Sequence, residues 1–176
     1  MNVEKRFLSL RALEFQDIDL IFEWENDQEL WIISNTLTPF SRYHLEQYIL
    51  NSSNDIYTDR QLRLMVSLNG EGLEKKTIGC IDLFDFEPHH RRAGVGIMIG
   101  KEYRNRGFAF QSLELLIDYA FNTLSLHQLY CNVSENNEAS MALFKKAGFE
   151  IIGIKRDWVL YHGKYQNEVM LQKINN

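Results

Sequence analysis

The chain is poor in the residues that staple or interrupt a fold: only two of its 176 residues are cysteine and two are proline. Cys80 and Cys131 lie far apart, each within an apolar strand-like run (78–81 and 129–133), and so read as reduced, buried thiols rather than a disulfide framework. No Cys/His group has zinc spacing, and no metal site is expected. With prolines only at 39 and 88 there is no Pro-rich linker, and no internal repeat or low-complexity tract is visible. No uninterrupted apolar stretch approaches the ~18 residues of a membrane span, and the opening MNVEKRFLSLRALE lacks the apolar core of a signal peptide. A cationic excess is also missing. Nineteen Lys plus Arg against 24 Asp plus Glu leave a formal charge of −5, which argues against a general nucleic-acid or anionic-membrane partner and favours cationic small molecules. A cytoplasmic protein is expected.

What is present is core material: 45% hydrophobic residues, including 11 Phe, 8 Tyr and 3 Trp. At ~150 residues per domain the length predicts one domain spanning 1–176. Residues 7–13 alternate as a strand, after which Asp17 can cap a helix with the stripe Ile18, Ile21 and Phe22. A second helix begins near Ser41, and the polar run 51–60 ends it before a strand at 62–68. Glycines 70 and 72 suggest a turn. Strands at 77–86 and 92–100 flank the polar EPHHR segment, a hairpin loop. Helical spacing returns at 107–122. A strand at 129–133, a helix at 137–147 closed by Gly148, and strands at 149–154 and 169–174 separated by a turn at 161–164 complete a mixed α/β pattern.

The most informative segment is Arg104-Asn105-Arg106-Gly107-Phe108-Ala109, between a strand and the start of an amphipathic helix. Free backbone N–H groups and the positive end of the helix dipole converge there, and Gly107 lets a phosphate approach with no Cβ in the way. A plain surface turn is the competing reading. No Gly-Lys-Ser/Thr follows, so this is not a Walker A loop. Gly94-Val95-Gly96 lies inside a strand, so it is not a dinucleotide fingerprint. A kinase or dehydrogenase is therefore disfavoured.

The pattern Arg104-x-x-Gly107-x-Ala109 resembles the signature of the GNAT superfamily of acetyl-coenzyme A dependent N-acetyltransferases. The block from Asn137 through Ser140, Leu143 and Phe144 to Gly148-Phe149 is similar to the family's Asn-x-x-Ala/Ser helix ending in a Gly-Phe turn. The opening LRALEFQDIDLIFEWEND and the ending HGKYQNEVML resemble the branch that contains spermidine acetyltransferases and ribosomal-protein alanine acetyltransferases. Together these cover nearly the whole chain. The resemblance implies a mixed, mostly antiparallel sheet of about seven strands, with helices on both faces and two strands splayed to admit acetyl-CoA. It implies that the backbone of Ile97, Met98 and Ile99 pairs with the pantetheine arm, that residues 104–109 wrap the pyrophosphate, and that Asn137 contacts the cofactor. Asn137, Ser140 and Phe144 fall on one helix face by spacing. From local sequence alone Asn137 is equally a helix cap.

An alkylammonium of pKa ~10 must lose a proton before its nitrogen can attack a thioester. Asp82 is the sharpest candidate base. It shares the parity of Ile78, Cys80, Phe84 and Phe86, an otherwise apolar face where a carboxylate is costly unless paired, solvated or functional. An Asp facing water at the sheet end is the alternative. Glu87, His89 and His90 read as exposed loop residues. The sequence departs from the family pattern at Phe144, where many members carry a tyrosine that protonates the leaving thiolate. Ser140 or another tyrosine could substitute, the thiolate could leave unaided, or catalysis could be weak.

Glu23, Glu25, Asp27, Glu29 and Glu46 could form a cation-binding lip or simply a solvated helix face. The paired glutamates of spermidine acetyltransferases are replaced here by the stretch 35–40 (NTLTPF). That departure counts against polyamine recognition and against an allosteric polyamine site; the acceptor is expected to be a polyamine-like or other small amine, or a protein or peptide N-terminus, and a homo-oligomer is possible. Two other classes stay open: a non-catalytic acyl-CoA binding or sensing protein, and a phosphate-ligand domain unrelated to acetyl transfer, which leaves the block 137–149 unexplained.

Overall fold

The computed structural model describes residues 8–52, 55–69 and 76–175. The glycine turn expected at 70 and 72 lies outside them. Seven strands form one sheet: β1 (Leu8–Ala12), β2 (Leu62–Leu68), β3 (Lys76–Glu87), β4 (Arg92–Ile99), β5 (Gln128–Ser134), β6 (Glu150–Tyr161) and β7 (Lys164–Ile174), ordered β1-β2-β3-β4-β5-β7-β6. All neighbours are antiparallel except β4 and β5, which run parallel and pair only over 92–94 against 128–130. Beyond Gly94 and Tyr130, β5 continues against β7 while β4 proceeds to Ile99 beside β3 alone, and the sheet opens between them. This is the mixed, mostly antiparallel sheet with a splayed pair that the resemblance implied.

Helices cover both faces. On one, α5 (Phe108–Asp118) and α6 (Glu138–Lys146) set Leu113, Leu116 and Phe144 against Val66, Ile81, Val95 and Leu171. On the other, α1 (Ile18–Glu25) and α3 (Arg42–Asn51) bring Ile18, Ile21 and Leu45 onto Met65 and Cys80. Strand alternation sorts the side chains: Leu62, Leu64 and Val66 of β2 turn to the first core and Met65 to the second. Both cysteines are free and buried.

Several elements differ from expectation for identifiable reasons. Parity along β3 is broken twice. Bulges at 77–79 and 84–87 reverse the facing of Ile78 and Phe86, which join the α5 core, while Cys80 stays on the α1 side. Asp17 does not cap α1: its carboxylate accepts from Arg11 at 2.7 and 2.6 Å and from the Glu14 backbone N–H at 3.0 Å. A seven-residue helix, α2 (Gln28–Ser34), buries no residue and so left no apolar stripe to read. A single helical turn, α4 (Ile56–Asp59), interrupts the polar run before β2. The helix expected to run to 122 changes at Tyr119–Thr123 into a π-turn. The final hairpin is longer than expected because outer β6 is largely exposed and carries no core periodicity.

Candidate active site

A cleft of about 910 Å³ opens where β4 and β5 part, within the usual size range for small-molecule sites. It runs from the start of α5 and α6 to a wall made by α1, α2, α3 and β2. Ile97, Met98, Ile99, Arg104, Asn105, Gly107, Ala109, Asn137, Ser140 and Asp82 all line it. Arg106, Phe108 and Phe144 do not. Arg106 is exposed, with its guanidinium 6.0 Å from the Tyr103 ring centre, and Phe108 packs on the α5 core. Phe144 is 4% exposed and meets Phe149 edge-on at 5.1 Å. The cleft face of α6 carries Ala139, Ser140, Leu143 and Lys146 instead, so the face that spacing assigned to Asn137, Ser140 and Phe144 is turned, at its last member, into the core.

The end of the cleft beside α5 has the shape of an anion cradle. Asn105 and Gly107 both adopt positive φ, 60° and 80°, folding the chain so that the first turn of α5 opens on the cleft. A Cβ added at Gly107 would lie 3.8 Å from Gln111 Nε2 and otherwise meet nothing, so the glycine serves conformation and leaves open space above it. Arg104 donates from Nε to the Ile99 carbonyl at 2.9 Å. That carbonyl therefore faces away from β3, and antiparallel alternation turns the backbone of Ile97 the same way, toward the gap. Asn137 caps α6, its Oδ1 accepting from the Ser140 N–H at 3.1 Å, and also lines the cleft.

Across the cleft stands an ion cluster. Arg63 in β2 donates from Nε to Asp82 Oδ1 at 2.8 Å, from Nη2 to Asp82 Oδ2 at 3.3 Å, and from Nη1 to Glu25 Oε1 at 2.5 Å. All three side chains are largely enclosed, at 22, 25 and 19% exposure. Burial alone would lower the Arg63 pKa, but Asp82 and then Glu25 hold it well above its ordinary value. Tyr48 sits with its ring centre 5.9 Å from the guanidinium, and burial pushes its hydroxyl pKa up. Burial and then the Asp82 charge push the Cys80 thiol far up, so this cleft-lining cysteine stays protonated and is a poor nucleophile.

The five acidic residues of the expected lip divide sharply. Glu23 is exposed, Glu46 pairs with Arg42, and Asp27 and Glu29 both clasp Lys101 at 3.1 and 2.9 Å. Glu25 alone of the five joins the inner cluster. His89 and His90 are exposed in the β3–β4 turn and Glu87 is half-buried. None of the three lines the cleft. Arg63, Tyr48 and Lys146 are cleft residues that sequence reasoning missed. The available signal was a single Arg in the apolar strand LRLMVSL, opposite in sign to the single Asp of the next strand's inner half.

A family model described as an acetyltransferase (GNAT) domain matches residues 8–150. Spermidine N(1)-acetyltransferase of Escherichia coli (strain K12) is 26% identical over 167 residues, which cover 93% of this chain and 84% of that protein. The ribosomal protein uS5 alanine N-acetyltransferase of the same strain is 29% identical over 76 residues, 43% of this chain and 39% of that protein. Among solved structures, spermidine N-acetyltransferase from Vibrio cholerae in complex with CoA and spermine superimposes with a TM-score of 0.85 at 27% identity, covering 96% of this chain and 95% of that one. A dodecameric structure of spermidine N-acetyltransferase from Vibrio cholerae superimposes with a TM-score of 0.77 at 26% identity, covering 96% and 94%.

Proposed function

The chain belongs to the GNAT acetyltransferase family, an acetyl-CoA dependent N-acetyltransferase acting on a small amine, and we propose that the acceptor is polyamine-like and attacks directly in a ternary complex. The observation that carries this reading is the pairing, across one cleft, of an anion cradle at 104–109 with an acid-rich wall in which two carboxylates share one guanidinium. Direct attack is further supported by the protonated state of Cys80, which argues against a covalent acyl-enzyme at that residue.

The cradle residues fit acetyl-CoA: Asn105, Gly107 and the first turn of α5 receive the pyrophosphate, and the open backbone of Ile97 receives the pantetheine amides. Acetyl-CoA supplies an acetyl group activated as a thioester, so that one C–N bond forms as one C–S bond breaks. Asp82 faces Gly96 across the β3–β4 register, beside the open strand. Its two oxygens accept from Arg63 yet keep lone pairs for the acceptor ammonium, so it positions the nitrogen and passes its proton to cleft water. Ser140 offers a hydroxyl to the departing sulfur in place of the tyrosine that Phe144 replaces. Positioning and backbone polarisation contribute most of the rate.

Outer strand β6 exposes Ile151, Ile152, Ile154, Trp158 and Leu160 on both of its faces, which supports a homo-oligomer built through this hairpin. Release of coenzyme A from acetyl-CoA across polyamines, amino acids and peptides tests the acceptor assignment. Turnover with polyamines is expected; turnover confined to peptides would replace the polyamine reading with the peptide one.

A further inference from the structure

The Arg63 guanidinium separates two carboxylates that stand at different places in the cleft. Asp82 occupies its Nε side, paired in register with Arg63 in β2 and with Gly96 in β4. Glu25, the last residue of α1, occupies Nη1, the guanidinium nitrogen that Asp82 leaves free. Asp82 accepts with both oxygens, whereas Glu25 accepts with Oε1 and leaves Oε2 without a hydrogen bond among the described residues. Two carboxylates against one cation leave a negative charge in a largely enclosed wall, and the indole of Trp24 and the ring of Tyr48 line the same pocket. An enclosed charge excess of this kind is costly until a cation enters.

The nitrogen that attacks must be uncharged at the moment of reaction and belongs beside Asp82 and Gly96, so a second fixed carboxylate, held on a different nitrogen of Arg63, suits a different nitrogen of the acceptor. We infer that Glu25 is a specificity-determining residue: it anchors a second, permanently protonated ammonium of the acceptor, and thereby selects diamines and polyamines over monoamines. The inference rests on the acetyltransferase reading above and adds to it which residue sets acceptor charge. Arg63 is the positioning residue, since it fixes the Glu25 carboxylate. Trp31 reinforces the placement by donating from Nε1 to the Glu25 carbonyl at 2.9 Å.

The test compares spermidine with butylamine as acceptors for wild type, Glu25→Gln and Glu25→Asp. Wild type should prefer spermidine in kcat/KM, and Glu25→Gln should shrink that preference by about 10- to 100-fold through the KM for spermidine, the range of one charge-assisted hydrogen bond. Butylamine kcat/KM should fall several-fold less than that for spermidine, because the loss through Arg63 and Asp82 is shared by both amines, the Tm rise produced by acetyl-CoA should persist, and Glu25→Asp should recover part of the preference. Equal losses for both amines would mean that Glu25 acts only through Arg63 and Asp82, and would overturn the inference, as would an unchanged preference. Calorimetric titration of spermidine into CoA-saturated protein gives a reading independent of turnover. Wild type that binds spermidine more tightly than Glu25→Gln but acetylates nothing would retain the anchor and reject the enzyme; equal binding by both would reject the anchor.

Discussion

Arg63 and Asp82 occupy directly opposed positions of β2 and β3 and meet through two hydrogen bonds, 2.8 Å from Nε and 3.3 Å from Nη2. The pair explains how a carboxylate is tolerated beside Cys80 and Met65 on an apolar sheet face. Charge compensation answers the cost of burial, and the carboxylate keeps lone pairs for a further donor. Asp82→Asn should therefore lower kcat by about 100-fold, the lower end of general acid–base assistance. The loss should be greatest on the acid side of the profile, where more of the amine is protonated. The Tm rise with acetyl-CoA should persist. A pH–rate profile superimposable on wild type would reduce Asp82 to a structural partner of Arg63.

At Gly107 the backbone has φ of 80° and the space above it is open. Gly107→Ala should cost about 1 kcal/mol for the left-handed conformation and still bind acetyl-CoA. Gly107→Glu should fold as well but bring a carboxylate into the cradle, so acetyl-CoA should no longer raise its Tm. Retained affinity in Gly107→Glu, measured by calorimetry, would remove the cofactor assignment of the loop.

The two candidates for protonating the sulfur stand in different environments. Ser140 lines the cleft, while Phe144 is buried against Phe149. Ser140→Ala should lower kcat about tenfold or more with little change in the KM for acetyl-CoA. Phe144→Tyr should leave kcat near wild type and lower stability by about 1–3 kcal/mol, because its hydroxyl would enter an apolar cluster. A large rise in kcat for Phe144→Tyr would show that the hydroxyl reaches the sulfur and that Ser140 does not replace it.

Asp17 is 3% exposed and clasped by Arg11. Burial alone would raise its pKa, but the Arg11 and Glu14 hydrogen bonds outweigh burial and hold it below the ordinary carboxylate value. A depressed pKa in the folded state means stability that is present above the unfolded value of about 4 and is lost as pH falls through the folded one. Asp17→Asn should thus destabilise by about 3 kcal/mol at pH 7, with the gap from wild type narrowing below pH 4. Urea titrations at pH 7 and pH 3 check this; a gap independent of pH would exclude the ion pair as its source.

Elements with strong periodicity and short motifs are legible in the amino-acid sequence itself. The Gly107 loop, the Asn137 cap and the Gly148 turn each carry their geometry in local residue chemistry. Elements set by long-range geometry are not. A bulge moves Ile78 to the opposite face, and nothing in TIGCIDLFDF announces it. Helix α2 leaves no periodic trace because it is held by ion pairs to Lys101 and a Trp31 hydrogen bond rather than by an apolar stripe. Arg63 and Glu25 are 38 residues apart in sequence, so only folding reveals that one neutralises the other.

The brief pairing of β4 with β5 has a mechanical consequence. Only three register positions rivet the β1–β4 plate to the β5–β7 plate, while every other seam of the sheet holds five or more. The two plates are thus joined like covers at a short spine, while α5, which links β4 to β5 in the chain, packs on the first plate against β1, β3 and β4. A coenzyme arm laid along Ile97 would lengthen that spine by adding rungs from one side. In that arrangement the bound molecule would serve as part of the framework as well as part of the chemistry, adding a rung at the seam where the sheet has fewest.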